Sequence, residues 1–248
     1  MKAMIFAAGM GTRLKPLTDT MPKALVSVNG NPLIAHTLNR LCASGVDEVV
    51  VNVHHFAPMI VDYLKTHVCP CKVSISDESD ALLDTGGGLR KAAGLFKEGN
   101  QPILIHNVDI FSNADLNAFY NRNKKEAAAL MVSSRKSSRN LLFNNENELV
   151  GWTNLNTGEV RSPYKDLDVN ACHRYAFSGI HLFSPSLFPF MDGFPTKFSI
   201  IDFYLGICDK VKIKADVRDG LKMLDVGKQD TLQAAEGFLE SLENSPLI

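Results

Sequence analysis

Short apolar segments alternate with segments of helical spacing over roughly the first 133 residues. The apolar segments are rich in β-branched side chains and cover residues 4–7, 48–53, 72–76, 103–106 and 127–133. The segments between them, at 32–44, 58–67, 88–96 and 115–125, show helical spacing of apolar residues. Such alternation is typical of parallel strands joined by helices. The sequence therefore predicts an α/β fold with a mostly parallel sheet and helices on both faces.

The pattern changes after residue 133, where a polar loop leads into shorter elements. Strand candidates follow at 141–144, 149–153, 177–183, 211–215 and 221–225, and helix candidates at 186–191, 200–209 and 231–242. No internal repeat, low-complexity tract or linker interrupts the chain. We therefore predict one Rossmann-like domain over residues 1–248, with a small lobe inserted after the parallel part.

Composition and charge argue against several classes of protein. The formal net charge of -1 gives no general attraction for nucleic acid or for an anionic membrane. No apolar run approaches the roughly 20 residues of a spanning helix, and no signal-peptide pattern is present. The five cysteines do not resemble a disulfide framework, so we expect reduced thiols and a cytoplasmic protein. Zinc binding at His67, Cys69 and Cys71 lacks a second ligand cluster and is disfavoured.

A glycine-containing loop follows the first predicted strand. Gly9 and Gly11 let the backbone approach a ligand closely, while Arg13 and Lys23 can neutralise different phosphates. Backbone N–H groups exposed at the end of a strand add to such a site. A dinucleotide fingerprint would need glycine where Leu14 stands, and an acid about 20 residues later. The loop therefore indicates a polyphosphate site.

Two aspartates end predicted strands at the edge of the sheet where this loop lies. Asp109 follows the segment 103–106, and Asp225 ends the segment 221–225. Two such carboxylates can converge on one hard cation, and Mg²⁺ prefers one or two carboxylates together with phosphate oxygens. We therefore expect Asp109 and Asp225 to hold Mg²⁺.

Three consecutive glycines, Gly86 to Gly88, open the third predicted helix after Asp84 and Thr85. A helix start without side chains suits close approach to a nucleobase or a sugar, although a flexible turn is an alternative. His54, His55 and His106 have no serine or cysteine in a nucleophile setting nearby. We interpret these histidines as structural residues.

The four motifs together resemble the sugar-1-phosphate nucleotidyltransferase family. They are the Gly9–Lys23 signature, Asp84–Gly88, Asn107-Val108-Asp109 and Asp225-Val226-Gly227, in the order that the family shows. The short chain and the run 82–88 are most similar to the N-acetylmuramate-1-phosphate uridylyltransferase group, with short mannose-1-phosphate guanylyltransferases next. Many relatives have Gly-Asp where this chain has Val108-Asp109.

The resemblance implies a role for each motif. It assigns catalysis to Arg13 and Lys23, and Mg²⁺ binding to Asp109 and Asp225. It implies that the inserted lobe faces the sugar. The residues implied to contact nucleotide are Ala7, Ala8, Gly9, Gly11, Thr12, Arg13, Lys23 and Gly87, and those implied to contact sugar are Gly88 and Gly179.

The implied reaction transfers a nucleotidyl group from UTP or GTP to a sugar-1-phosphate and releases pyrophosphate. A sugar phosphate is already an anion, so no general base is required, and catalysis consists of positioning and charge neutralisation. Two alternatives remain at this point. One is a cytidylyltransferase for phosphocholine, and the other is a nucleotide-binding regulator without catalysis. Neither nucleic acid nor membrane is an expected partner.

Overall fold

Four parallel strands form the centre of the structure, a computed structural model that describes residues 1–96, 99–243 and 245–248. The strands are β1 (Lys2–Phe6), β2 (Ser27–Val28), β3 (Asn31–Pro32), β4 (Glu48–Val53), β5 (Lys72–Asp77), β6 (Ile103–Asn107), β7 (Ile110–Ser112), β8 (Ala128–Ser133), β9 (Arg139–Phe143), β10 (Leu149–Asn154), β11 (Glu159–Arg161), β12 (His173–Phe183), β13 (Ile213–Val217) and β14 (Met223–Asp225). The helices are α1 (Leu33–Ala43), α2 (Ala57–Thr66), α3 (Asp84–Ala92), α4 (Leu116–Asn123), α5 (Ile200–Ile207) and α6 (Gln229–Glu243).

The central order is β6-β1-β4-β5, with every neighbour parallel. Register pairs Phe6 of β1 with Asn52 of β4 on one side and with Asn107 of β6 on the other. The last residues of β1 and β6 and the next-to-last residue of β4 therefore lie side by side. Because ligands of open α/β sheets bind beyond the carboxyl ends of the strands, this edge is where a site is expected.

Strand β12 joins the parallel strands to the rest of the sheet. The C-terminal part of β12 pairs antiparallel with β6, and its N-terminal part pairs antiparallel with β9. Strands β9, β10 and β11 form an antiparallel extension of the sheet. β8 pairs antiparallel with β12 and parallel with β13. The α/β class and the parallel centre are confirmed, and the antiparallel extension occupies the place of the predicted lobe.

Apolar side chains from both faces of the sheet form two hydrophobic clusters. One contains α1 and α4, with Leu38 and Phe119 fully buried. The other contains α3 and α5, with Leu89 and Phe203 fully buried. Helices thus cover both faces, as the alternating sequence pattern predicts. Among the described residues, no helix is long and apolar enough to cross a membrane.

The expectation of reduced cysteines near the start of β5 is wrong in this structure. Cys42 of α1 and Cys71, just before β5, form a disulfide, and Cys69 is a free thiol. The two partners are 29 residues apart, and the parallel arrangement of the strands brings the end of α1 to the loop before β5. Sequence spacing gives no sign of this proximity.

Two histidines are fully buried on neighbouring strands, His106 of β6 and His181 of β12. His106 Nδ1 lies 2.7 Å from the Asn107 carbonyl oxygen, and His181 Nδ1 lies 2.7 Å from the Tyr204 hydroxyl. Burial, reinforced by Arg40, lowers the pKa of His106 to about 4. Burial and the neighbouring His106 lower the pKa of His181 to about 3. Both rings are therefore neutral in the folded protein at neutral pH.

We predict that the free energy of unfolding falls as pH drops below about 6.5, the ordinary histidine pKa. The unfolded chain then takes up protons that buried His106 and His181 exclude, at a cost of about 1.4 kcal/mol per pH unit for each histidine. Between pH 6.5 and 5, the free energy of unfolding should depend less steeply on pH in His181→Gln than in the parent. In His173→Gln, where the changed residue is exposed, the dependence should match the parent. Urea denaturation at both pH values measures the slope, and equal slopes in all three proteins would contradict the prediction.

Candidate active site

A cavity of about 510 Å³ opens at the carboxyl ends of β1, β4 and β6. The predicted site residues that line it are Ala7, Ala8, Gly9, Gly11, Thr12, Arg13, Lys23 and Asp109. Further lining residues are Phe6, Met10, Asn52, Leu82, Asp84, Thr85, Asn107, Val108, Lys197 and Gly227. The structure therefore brings the glycine loop and the first predicted metal ligand into one site.

The loop after β1 is folded tightly around Gly11. Gly11 has φ +63°, and a Cβ there would lie 2.9 Å from Thr18 Cγ2 and 3.0 Å from Lys23 Cβ. The Thr18 hydroxyl donates to the Gly11 carbonyl at 2.9 Å, which holds the two ends of the loop together. Only glycine tolerates this combination of backbone conformation and crowding. The packing brings Lys23 back to the end of β1.

Lys23 forms an ion pair with Asp109, and its ammonium donates to Asp109 Oδ2. Both side chains are largely shielded from water, with 13% and 11% of their surface exposed. Burial alone would raise the pKa of Asp109, but the charge and hydrogen bond of Lys23 outweigh it, and the pKa lies below its ordinary value. Asp109 is therefore a carboxylate, and Lys23 supplies the charge that keeps it ionised.

Asp225 reaches the same point from the distant end of the chain. The short strand β14 pairs antiparallel with β7, and this register places Asp225 opposite Ile110. The amide of Val226 donates to the Asp109 carbonyl at 2.8 Å, and Arg13 Nη2 lies 4.0 Å from Asp225 Oδ2. The two predicted metal ligands thus lie on adjacent, hydrogen-bonded segments.

The charges of the two aspartates affect one another. Partial burial raises the pKa of Asp225 above its ordinary value, and the negative charge and hydrogen bonding of Asp109 raise it further. Two facing carboxylates repel unless a cation or a proton lies between them. Their oxygens are the ligand type that Mg²⁺ prefers, so the residues present fit a magnesium ion.

A second polar network supports the end of β1. Asn52 of β4 accepts a hydrogen bond from the Ala7 amide at 2.8 Å and donates to Glu78 Oε1 at 2.7 Å. Burial raises the pKa of Glu78, which is fully buried. Sequence reasoning missed both residues, although an asparagine within the apolar run of β4 is a signal of a buried polar role. The Ala7 N–H is used by this network, so its carbonyl is the group left for a ligand.

The glycines of α3 pack against protein. A Cβ at Gly87 would lie 2.5 Å from the Thr196 carbonyl oxygen, and one at Gly88 would lie 2.5 Å from Glu78 Oε1. The amides of Gly86 and Gly87 both donate to the Phe198 carbonyl. These contacts fix the loop before α5 to the start of α3. Neither Gly87 nor Gly88 lines the cavity, and packing accounts for both glycines. Their predicted nucleotide and sugar contacts stay predictions.

Gly179 lies at an irregularity in β12, where the pairing with β8 shifts between Phe177 and His181. It has φ +78°, and a Cβ there would lie 2.8 Å from Asn107 Nδ2. Asn107 lines the cavity, whereas Gly179 does not. The structure therefore places Gly179 against a cavity residue, and its predicted sugar contact stays a prediction.

A second cavity, of about 420 Å³, lies where the inserted lobe meets α5. Its lining includes Arg135, Arg139, Trp152, Arg161 and Asp202. Arg161 forms an ion pair with Asp202 and stacks over the Trp152 ring at 5.4 Å. Among the described residues, no carboxylate lies within ion-pair distance of Arg135 or Arg139. The sequence showed a polar, basic loop here but gave no sign of a cavity.

The two cavities are neighbours. Partial burial lowers the pKa of Arg135, and the Asp225 carboxylate opposes that shift, which places Arg135 near the predicted metal ligands. Thr85 of the first cavity accepts a hydrogen bond at 2.8 Å from the amide of Ile200, between Ser199 and Ile201 of the second. The two cavities therefore adjoin at the Thr85–Ile200 hydrogen bond.

Comparison with known proteins identifies the class. Residues 2–141 match the model of the nucleotidyl transferase family. The chain is 32% identical over 245 residues to the N-acetylmuramate alpha-1-phosphate uridylyltransferase of Caulobacter vibrioides, with 96% of each protein covered. It is 34% identical over 189 residues to the enzyme of the same name from Neisseria meningitidis, covering 76% of this chain and 77% of that protein.

A solved structure confirms the fold. The inositol-1-phosphate CTP transferase from T. maritima aligns with a TM-score of 0.77 and 14% identity, over 100% of this chain and 98% of that one. The chain belongs to the nucleotidyl transferase family, and within it to the sugar-1-phosphate nucleotidyltransferases. The resemblance read from the four sequence motifs is confirmed.

We predict that Gly227→Ala weakens the response to divalent metal. A Cβ at Gly227 would lie 2.6 Å from Asp225 Oδ1, 2.7 Å from Arg13 Nη2 and 3.2 Å from Asp109 Oδ2, so it would displace the carboxylates and the guanidinium beside them. The Gly227 amide also orients Asp225 by donating to Oδ1 at 2.8 Å. Loss of a hydrogen bond that orients a metal ligand typically lowers metal affinity ~10-fold or more. Initial rates measured against metal concentration should shift accordingly.

The matched control is Gly237→Ala, because nothing lies within 4 Å of a Cβ at that helical position. Alanine is also the better helix former, so this variant should keep normal metal dependence. A Gly227→Ala enzyme with the metal response of the control would show that the carboxylates do not act together.

Proposed function

We propose that the protein is an N-acetylmuramate-1-phosphate uridylyltransferase, which converts UTP and N-acetylmuramate-1-phosphate into UDP-N-acetylmuramate and pyrophosphate. Two relatives with this name, aligned over most of their length, support the proposal. The beta catalytic subunit of mannose-1-phosphate guanylyltransferase from Dictyostelium discoideum is also similar, at 30% identity, but only 53% of its length is covered.

In this proposal, the arginine side chains that line the second cavity select the sugar. N-Acetylmuramate bears a lactyl carboxylate, which mannose and N-acetylglucosamine lack. Arg135 and Arg139 face the second cavity, and Arg135 lies near Asp225. A guanidinium is well suited to bind a carboxylate through paired hydrogen bonds. Trp152, held in place by Arg161, offers an apolar ring for the face of the sugar.

In this proposal the nucleoside triphosphate lies in the first cavity, along the loop after β1. A phosphate oxygen of the sugar-1-phosphate attacks the α-phosphorus in line, the new P–O bond forms, and the bond to the β-phosphate breaks. Pyrophosphate leaves with the electron pair. Lys23 contacts the reacting α-phosphate, and Arg13 holds the leaving β- and γ-phosphates, with charge neutralisation as their contribution.

Mg²⁺ held by Asp109 and Asp225 is part of the proposal. When bound, such an ion neutralises phosphate charge and orients the triphosphate. The fit rests on the two facing carboxylates and on the raised pKa of Asp225. The charge and hydrogen bond of Lys23 lower the pKa of Asp109, so this side chain is a carboxylate that can serve as a ligand. The chain's own groups therefore supply both the cations for the phosphates and the oxygens for the metal.

We predict pyrophosphate release only when UTP, Mg²⁺ and a sugar-1-phosphate are all present, with N-acetylmuramate-1-phosphate preferred over N-acetylglucosamine-1-phosphate. Arg139→Ala should raise KM for the first sugar about 10- to 100-fold, because a charge-assisted hydrogen bond contributes ~1.5–3 kcal/mol. The KM for N-acetylglucosamine-1-phosphate, which has no carboxylate, should stay within about twofold, since no such bond is lost.

Lys136→Ala is the matched control. Lys136 is an exposed cation that lies between Arg135 and Arg139 in the sequence, but it does not line the second cavity. It should leave both KM values unchanged. A preference for GTP with mannose-1-phosphate would overturn the assigned substrates, and nucleotide binding without turnover on any sugar phosphate would favour a regulator. Equal KM changes for the two sugars in Arg139→Ala would show that Arg139 does not contact the carboxylate.

A further inference from the structure

Three cysteine sulfurs meet at the edge of the sheet opposite the active site. Cys42 lies near the end of α1, while Cys69 and Cys71 lie in the connection between α2 and β5. Their sulfurs all fall within 4.8 Å of one another. Cys69 Sγ is 3.4 Å from Cys42 Sγ and 3.1 Å from Cys71 Sγ. We define these three residues as the thiol cluster.

The thiol cluster contains more sulfur than a structural bridge needs. A disulfide joins two cysteines, here Cys42 and Cys71, yet Cys69 lies against both of them. A Cys-x-Cys segment alone is a poor chelate for a tetrahedral ion, which is why the sequence disfavoured a metal here. The structure changes that judgement, because both sulfurs of the segment face the same point and α1 supplies a third.

A nitrogen donor lies in the same connection. His67 stands two residues before Cys69, and its Nδ1 is 3.1 Å from the Tyr63 hydroxyl, with the two rings stacked. His67 Nε2 is buried and has no hydrogen-bond partner among the described residues. In the tautomer whose Nδ1 donates to Tyr63, Nε2 carries a free lone pair. Imidazoles oriented in this way are common metal ligands.

We propose that, in the reduced protein, the thiol cluster binds one thiophilic metal ion, for which Zn²⁺ is the probe. A phosphine and water reduce the Cys42–Cys71 bond to two thiols and give phosphine oxide. The three thiols then lose their protons to solvent as three thiolates bind the ion. Thiolates are the preferred ligands of Zn²⁺ and of other soft ions. The His67 ring lies outside the group of sulfurs within 4.8 Å of one another, so it would have to turn toward them to supply a fourth ligand.

The location indicates a structural effect rather than a catalytic one. α1 ends at Ala43 and β5 begins at Lys72, at the edge where the parallel strands start, whereas the cavity lies where they end. A bound ion would fasten α1 to the start of β5. Because the unfolded chain has no preformed cluster, ion binding would stabilise the folded protein by mass action.

The test uses phosphine-reduced, metal-free protein with Mg²⁺ in excess to occupy hard oxygen sites. Titration with Co²⁺ should give a thiolate charge-transfer band that saturates at one ion per chain, and Zn²⁺ should displace it. Zn²⁺ affinity, measured by competition with a chromophoric chelator, should fall by more than ~100-fold in Cys69→Ser. Loss of a residue that only hydrogen-bonds to a metal ligand typically costs ~10- to 100-fold, so a larger fall indicates a direct ligand. Pyrophosphate release should be unchanged, which shows that the variant folds.

Cys172→Ser and Cys208→Ser are matched controls, since both are free cysteines outside the cluster. Each should bind Zn²⁺ as the parent does, and the parent should gain melting temperature with Zn²⁺ while Cys69→Ser does not. Absence of the charge-transfer band in the reduced parent would overturn the proposal. Parental affinity in Cys69→Ser would also overturn it, because Cys42 and Cys71 would then act without the third sulfur.

Discussion

The ion pair between Lys23 and Asp109 is the interaction on which the candidate site depends. Asp109 is almost completely buried, and an unpaired carboxylate in such a place would be protonated or would destabilise the fold. Lys23 keeps it charged and thereby joins the loop after β1 to the end of β6. The segment that carries Asp225 is hydrogen-bonded to Asp109. The position of the Lys23–Asp109 ion pair therefore also determines the position of the Asp225 carboxylate.

The sheet provides the rigid frame for this pair, and the connections around it provide the ligand surfaces. Equal register of β1 with β4 and β6 aligns Phe6, Asn52 and Asn107 at one edge. Asn52 and Glu78 then fix the backbone at Ala7. On the other side, the packed glycines of α3 hold the loop before α5, so the second cavity keeps its position relative to the first. The fold thus fixes the two cavities relative to each other.

Local patterns predicted the elements and the phosphate loop, because both depend on residues close in sequence. The strand at 48–53 was predicted with the bounds of β4, and most of the glycine-loop residues line the cavity. Long-range features were missed. β7 is only three residues long, so its pairing with β14, which positions Asp225, gave no pattern. The meeting of Cys42 with Cys71 likewise follows from packing of α1 beside β5, which no spacing rule reveals.

The most direct test of this account is the steady-state rate of Lys23→Ala compared with Lys65→Ala, an exposed lysine on α2 that serves as the control. Lys23 should act on the phosphate whose charge changes in the transition state, and it also keeps Asp109 ionised. We therefore expect kcat to fall roughly 10²-fold or more in Lys23→Ala, in line with the loss of other preorganised charge stabilisers. Lys65→Ala should retain the parental kcat. An unchanged kcat in Lys23→Ala, with both substrates saturating, would contradict the account.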